Sequence, residues 1–285
     1  MQTPDFIHPD DAAALDALKK IPLLPSVIKT MMDIGAEQLQ TGLNMASKIR
    51  LSPSQLPLLY TLLPPICERL GIDEPDFYLE MSPQPNAYAF GDTQTAITLT
   101  SAIVEMMDEE ELRAVIAHEC GHIACHHMLY HTLAQLLTNA TGMFEKLASL
   151  AVPMHYALMY WQRKSELSCD RVAAYIAGTK AATSMLSRLA GGPRSITTAL
   201  NLVALAEQAD LYDAFCKSRL WNKALQTYAV MDRDHPFMAV RVRELLKWSA
   251  TTEGQLLQSV SGTCPHCHQT TEAGWKFCQH CGRKL

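Results

Sequence analysis

AVIAHECGHIACHH (residues 114–127) places two histidines four residues apart, with a glutamate directly after the first. On a helix, residues i and i+4 share a face, so His118 and His122 can present two imidazoles to one zinc ion. Glu119 then lies beside the metal without ligating it, placed to take a proton from a water that the metal activates. A five-residue pattern of this kind recurs by chance in unrelated chains. Its neighbours narrow the reading: Val115, Ile116, Cys120, Gly121, Ile123 and Ala124 are all uncharged, as a metal helix buried in a core requires.

A catalytic zinc needs a third protein ligand and an open position for water. A glycine at 125 and a histidine at 128 would supply the ligand from the same helix, but those positions hold Cys125 and Met128. RKSELSCDR (163–171) offers the other solution. Glu166 and Asp170 are again i and i+4, on one face of a later predicted helix, so Glu166 would ligate and Asp170 would accept a hydrogen bond from a ligand imidazole. Taken alone, both acids read as solvated partners of Arg163, Lys164 and Arg171. Paired with HECGH, they complete a site. His126, His127 and His131, further along the first helix, read as ordinary helix histidines, and Cys120 and Cys125 as core thiols.

Outward from this stretch, Asp108 and Glu111 spell a capping box that starts the first metal helix, which is expected to run to about residue 131. The second spans about 156–176 and stops at Gly178. Further helices are expected at about 180–190, 197–229 and 235–250. Upstream, Asp10 or Asp11 can cap a helix through Lys20. Another helix covers 26–49, and a third begins near Ser52 and ends at Gly71, kinked or split at Pro64 and Pro65. FYLEM (77–81) and AITLT (96–100) are the strand-like runs, separated by the turn-rich SPQPNAYAFGDTQ. The fold class expected is mainly α with a small β-sheet, an α+β arrangement.

The chain has 285 residues, 48 % apolar and 19 % charged, enough for one full core and a small appendage. Twenty-four basic against 29 acidic residues leave a net charge of −5, which argues against a general nucleic-acid binder. The N-terminus carries acids and prolines where a signal peptide needs a basic end and an apolar run. The most apolar stretch, LASLAVPMHYALMYWQ (147–162), is short and broken by Pro153 and His155. It reads as a buried or interfacial helix, with peripheral membrane contact left open. A cytoplasmic location is expected.

Nine cysteines fit that compartment, five of them scattered singly. CPHC (264–267) and CQHC (278–281) form two knuckles that can close a tetrahedral site, so Cys264, Cys267, Cys278 and Cys281 are the expected ligands of a structural zinc ribbon. Four thiolates fill the shell without His266, His268 or His280. Arg283 and Lys284 are too few for nucleic-acid binding, and docking to a protein partner or to the catalytic domain is the alternative. The organisation expected is a domain over 1–250 (a helical part to 75, then a core), a polar linker at 251–262, and the ribbon at 263–285.

Four blocks, NAYAFG (86–91), AVIAHECGHIACHH, SELSCDR (165–171) and HPFMAVRVREL (235–245), resemble the M48 peptidases, gluzincin metallopeptidases that include HtpX-like and Ste24-like enzymes. The opening DFIHPDDAAALDALKK is similar to the soluble bacterial branch. The resemblance implies a zinc-dependent endopeptidase with His118, His122 and Glu166 as ligands and Glu119 as general base. It also implies that His235, a candidate catalytic residue, and Arg241, beside the site with Asp170, reach the cleft. HtpX-like members carry membrane helices near the catalytic core; no convincing one is read here. Two zinc ions are expected, one catalytic and one structural. The substrate expected is an unfolded or flexible protein segment, held by strand addition at Ala96–Thr100 as a sheet edge. The alternatives are an exopeptidase, and a regulatory or scaffold protein that keeps a peptidase-like fold and acts through its ribbon.

Overall fold

A computed structural model describes residues 6–22, 24–33, 35–139, 148–218, 237–260, 277 and 281–284. The first helices are α1 (Pro9–Lys19), α2 (Leu24–Asp33) and α3 (Ala36–Ser47). α2 and α3, expected as one helix, part at Gly35, whose φ of +66° is left-handed and suits a residue without Cβ. Strand β1 (Ile49–Arg50) leads to α4 (Pro57–Tyr60) and α5 (Leu63–Leu70). Pro64 and Pro65 sit in the first turn of α5, where a missing N–H breaks no helical bond, and Gly71 closes the helix in the left-handed conformation. There follow β2 (Asp76–Glu80), β3 (Ala87–Phe90), β4 (Ala96–Thr100), α6 (Ser101–Met106), α7 (Glu109–Ala124), α8 (Met128–Asn139) and α9 (Ala148–Ala177). The described elements end with α10 (Thr179–Gly191), α11 (Arg194–Thr197), α12 (Leu202–Ser218), α13 (Met238–Ser249) and α14 (Thr252–Val260). The protein is mainly helical with one small sheet.

The strand order is β1-β2-β4-β3, with β2 parallel to β4 and β3 antiparallel to it. This corrects one expectation. Ala96–Thr100 is an interior strand with partners on both sides, so it cannot accept a further strand. Its five residues are all buried, including Thr98 and Thr100, although the alternation of Ile97, Thr98, Leu99 and Thr100 reads as a half-exposed strand. The outer strand on that side is β3.

α7 packs on α9 through glycine. A Cβ built on Gly121 would stand 3.1 Å from the Cys169 Cα and 3.2 Å from the Val172 Cβ, so the absence of a side chain allows the close approach of the two helices. Ile116, Ala117, Cys120, Val172 and Ala173 fill the interface, and every one of them is buried. Part of 147–162 is core: Met154, Leu158 and Trp161 pack in a second apolar cluster with Leu18 of α1 and Leu24 of α2, while Tyr160 is exposed. Among the described residues no helix is long and apolar enough to cross a membrane. The stretch 251–262, expected as a polar linker, begins as α14, with Leu257 buried and Gly254 close against the Trp248 carbonyl.

Candidate metal centre

Asp108 caps α7 by accepting from the Glu111 backbone N–H, while the Glu111 side chain accepts from the Asp108 N–H. Glu111 is buried, and its carboxylate also meets Arg188 Nε at 3.1 Å and the Ser184 hydroxyl at 2.5 Å, which anchors α10 to the start of the metal helix. From that cap, almost three turns carry the chain to His118 and about one further turn to His122. α9 presents Glu166 and Asp170 opposite them. The helix spacing read from sequence therefore puts the four side chains in one buried cluster.

The distances within it are those of a donor set. His118 Nε2 lies 3.3 Å from Glu166 Oε2, and His122 Nε2 lies 3.4 Å from Glu166 Oε1. Ligand atoms at the corners of a tetrahedron around an ion with bonds of about 2.0–2.1 Å are roughly 3.3–3.4 Å apart. Two imidazole nitrogens and one carboxylate are the donor types that zinc takes in a three-ligand site. Behind them, His118 Nδ1 lies 3.1 Å from Asp170 Oδ1, within hydrogen-bond reach.

The electrostatics fit a cation. Burial disfavours charge on His118, but Glu166 and Asp170 outweigh it and push its pKa up to about 9; without a metal, a proton supplies the positive charge between the two carboxylates. Burial dominates at His122 and lowers it to about 4, leaving a neutral imidazole whose lone pair can bind metal. Arg241 donates from Nε and Nη2 to Asp170 at 2.8 and 2.6 Å, and its Nη1 lies 2.9 Å from Glu166 Oε2. The guanidinium thus pairs with both the Asp170 and the Glu166 carboxylates. His235 lies outside the described residues, as do Cys264, Cys267 and Cys278. Cys281 is exposed, and Gly282 after it turns at a φ of +72°.

The open side of the cluster is a cleft of about 170 Å³ lined by Glu119, His118, Glu166 and Arg241, with Asn86 and Ala87 at the start of β3 on one wall. Glu119 is 7 % exposed, so its carboxylate reaches the cleft from an otherwise buried helix.

Sequence reasoning missed four residues near this centre. Cys169, read as one of the scattered thiols, comes within ligand reach of His118 and His122; burial pushes its thiol well above the usual range. The helix expected to continue to residue 131 ends at Ala124 in a Schellman motif. The His127 N–H bonds to the His122 carbonyl at 2.9 Å and the His126 N–H to that of Ile123 at 3.1 Å, with His126 left-handed at a φ of +57°. The turn folds α8 back, so His127 and His131 come close to His122 rather than pointing along one helix. Asp11, read as a cap candidate, is buried and accepts three hydrogen bonds, while His8 makes the cap contact. Burial would raise the Asp11 pKa, but hydrogen bonds from His127, Ser168 and Trp161 hold it below the usual carboxylate range.

The family model for peptidase family M48 matches residues 61–249, and that for a zinc-ribbon domain matches residues 263–285. The chain is 35 % identical over 254 residues to a plastoglobule-localized metallopeptidase 48 of the chloroplast from Arabidopsis thaliana, covering 87 % of this chain and 73 % of that one. It is 33 % identical over 96 residues to a protease HtpX homolog from Sulfurihydrogenibium sp., covering 33 % of this chain and 32 % of that one. The crystal structure of Ste24p from S. mikatae superposes with a TM-score of 0.45 at 18 % identity, covering 78 % of this chain and 56 % of that one.

Proposed function

The chain belongs to peptidase family M48 and is a zinc metallopeptidase with a C-terminal zinc ribbon, and on that premise we propose that it is an endopeptidase whose catalytic ion is held by His118, His122 and Glu166. The observation that carries this is that His118 and His122 each approach Glu166 at 3.3–3.4 Å, beside a cleft lined by His118, Glu166 and Glu119. Zinc, when bound there, supplies Lewis acidity to a peptide carbonyl and lowers the pKa of water in the open position. Glu119 takes the proton from the attacking water and returns it to the leaving amine nitrogen. Asp170 fixes His118 through Nδ1, and Arg241 balances the charge of Asp170 and Glu166.

Cys264, Cys267, Cys278 and Cys281 hold a second, structural zinc that folds a segment too small for its own apolar core. Protein purified without added metal is expected to carry two zinc ions per chain. One should be lost in His122→Ala and the other in Cys278→Ser. A single ion that survives His122→Ala would remove the catalytic assignment and favour a peptidase-like scaffold acting through its ribbon.

Unfolded or flexible protein segments are the proposed substrate, because β3 offers main chain rather than a deep side-chain pocket. Asn86 and Ala87 line the cleft. The Thr100 N–H bonds to the Asn86 carbonyl, so alternation along the ladder turns the backbone groups of Ala87 away from β4 and toward the cleft side. Ala87→Pro removes one donor at an outer strand, where proline is tolerated. It is expected to lower kcat/KM on an unfolded protein by about 5–10-fold, the worth of one hydrogen bond, with zinc content unchanged. Unaltered turnover in that variant would exclude pairing at this position.

A further inference from the structure

On the side of His122 away from Glu166 there is a second cluster. His122 Nδ1 lies 3.3 Å from His127 Nδ1, and His127 Nε2 lies 3.0 Å from Asp11 Oδ2. Asp11 is nearly inaccessible and belongs to α1, outside the stretch that the family model matches. Its carboxylate also accepts from Trp161 Nε1 at 2.9 Å on Oδ1 and from the Ser168 hydroxyl at 2.6 Å on Oδ2. The ring of Trp161 stands edge-on to His127 with centroids 5.4 Å apart, and Ser168 accepts in turn from the His8 N–H at 2.9 Å. α1 is thereby held to α9 with Asp11 aimed at His127.

We propose that Asp11 and His127 are positioning residues for the metal centre, a hydrogen-bond relay from α1 that presents the Nε2 lone pair of His122 to the catalytic zinc. The inference rests on His122 being a ligand, as proposed above. Its logic is one of donor and acceptor direction. A carboxylate can only accept, so the His127 proton sits on Nε2 and points at Asp11. In the proposed relay His127 Nδ1 is the acceptor that faces His122 Nδ1, the direction that an Nε2 proton held by Asp11 allows. Two lone pairs at 3.3 Å would repel, so the His122 proton sits on Nδ1 and its Nε2 is left bare, on the side where Glu166 lies. Reversing the direction at Asp11 reverses every step and puts a proton on the nitrogen that must bind the ion.

Asp11→Asn makes that reversal with one atom. Trp161 Nε1 can only donate, so the carbonyl oxygen of the new carboxamide stays on Trp161 and its NH2 faces His127. His127 must then accept at Nε2 and donate from Nδ1. His127→Phe removes the relay, whereas His127→Asn restores an acceptor oxygen near the position of Nδ1 without needing Asp11.

The test is zinc affinity of the full chain by chelator competition, following the release step that His118→Ala abolishes. D11N and H127F are expected to weaken that step by about 10–100-fold, with the melting of the metal-free protein close to wild type, and H127N to recover most of it. Wild-type affinity in a folded D11N, or H127N as weak as H127F, would overturn the relay. Because D11N also disturbs the hydrogen bond from Ser168, the comparison of H127F with H127N decides the matter if D11N does not fold. If His118→Ala leaves both zinc ions in place, the ligand assignment itself fails and the relay with it. A third zinc per chain that H127F removes would also overturn the relay, since His122, His127 and His131 would then be a metal site of their own.

Discussion

Replacing Glu119 by glutamine is expected to lower peptidase activity by about 10²–10⁴-fold, the usual range for losing a positioned general base, while zinc content and melting stay near wild type. The carboxamide has the same shape and keeps the packing of a largely buried side chain, but it can neither take a proton from water nor return one to the leaving amine. The selectivity of the loss is the point. Glu119 lines the cleft beside His118 and Glu166, whereas the proposed ligand atoms come from the residues on either side of it and from α9. Initial rates on an unfolded reporter protein, measured alongside zinc per chain, check this. Activity within about ten-fold of wild type would take the proton-transfer role away from Glu119.

Arg241→Leu is expected to have the largest effect on stability, and the effect should depend on metal. The guanidinium makes three contacts of 2.6–2.9 Å with Asp170 and Glu166, and all three side chains are almost fully buried. Burial works against its charge, but the two carboxylates outweigh that and raise its pKa, so Arg241 is fixed as a cation. Removing one member of such a group leaves uncompensated buried charge, at a cost of about 3–5 kcal/mol. For a domain of this size that is a fall of roughly 10 °C in the melting point. Zinc would restore two positive charges to the same carboxylates, so most of the loss should appear only after chelation. Thermal unfolding of wild type and R241L, each with and without a chelator, measures the difference. An equal loss in both forms would mean that Arg241 acts by packing and not by balancing the ligands.

The candidate site's four-residue cluster was legible because its parts are local. HECGH and SELSCDR each place two side chains one helical turn apart, and the capping box at Asp108 and Glu111 sets where the first helix begins. Any arrangement that buries both helices against each other brings the four side chains together. Gly121 shows the packing requirement directly, since its missing Cβ is what lets the backbone at Cys169 come so near. The zinc ribbon is similarly local, two C-x-x-C knuckles within 23 residues that the family model recognises at 263–285.

What was illegible depends on contacts between distant parts of the chain. Ala96–Thr100 looked like an edge because its neighbour β3 lies in the stretch read as turn-rich; a parallel partner in β2 and an antiparallel one in β3 flank it on both sides. His127 read as one more histidine on a continuing helix, because nothing in ACHHM signals that a non-glycine residue, His126, will turn left-handed and fold α8 back. Asp11 read as a candidate cap, the common fate of an acid at a helix start, although His8 caps and Asp11 turns inward. Its partners are 116, 150 and 157 residues away in sequence, at His127, Trp161 and Ser168. The sequence by itself determined that His118 and His122, and Glu166 and Asp170, share helix faces, and which candidate donor types they offer, because hydrogen bonding between residues four apart makes those properties local. Only the tertiary structure decided which strand is the edge, that Arg241 balances the carboxylates, and that α1 supports His122 through His127, because burial of a polar group is set by what packs over it.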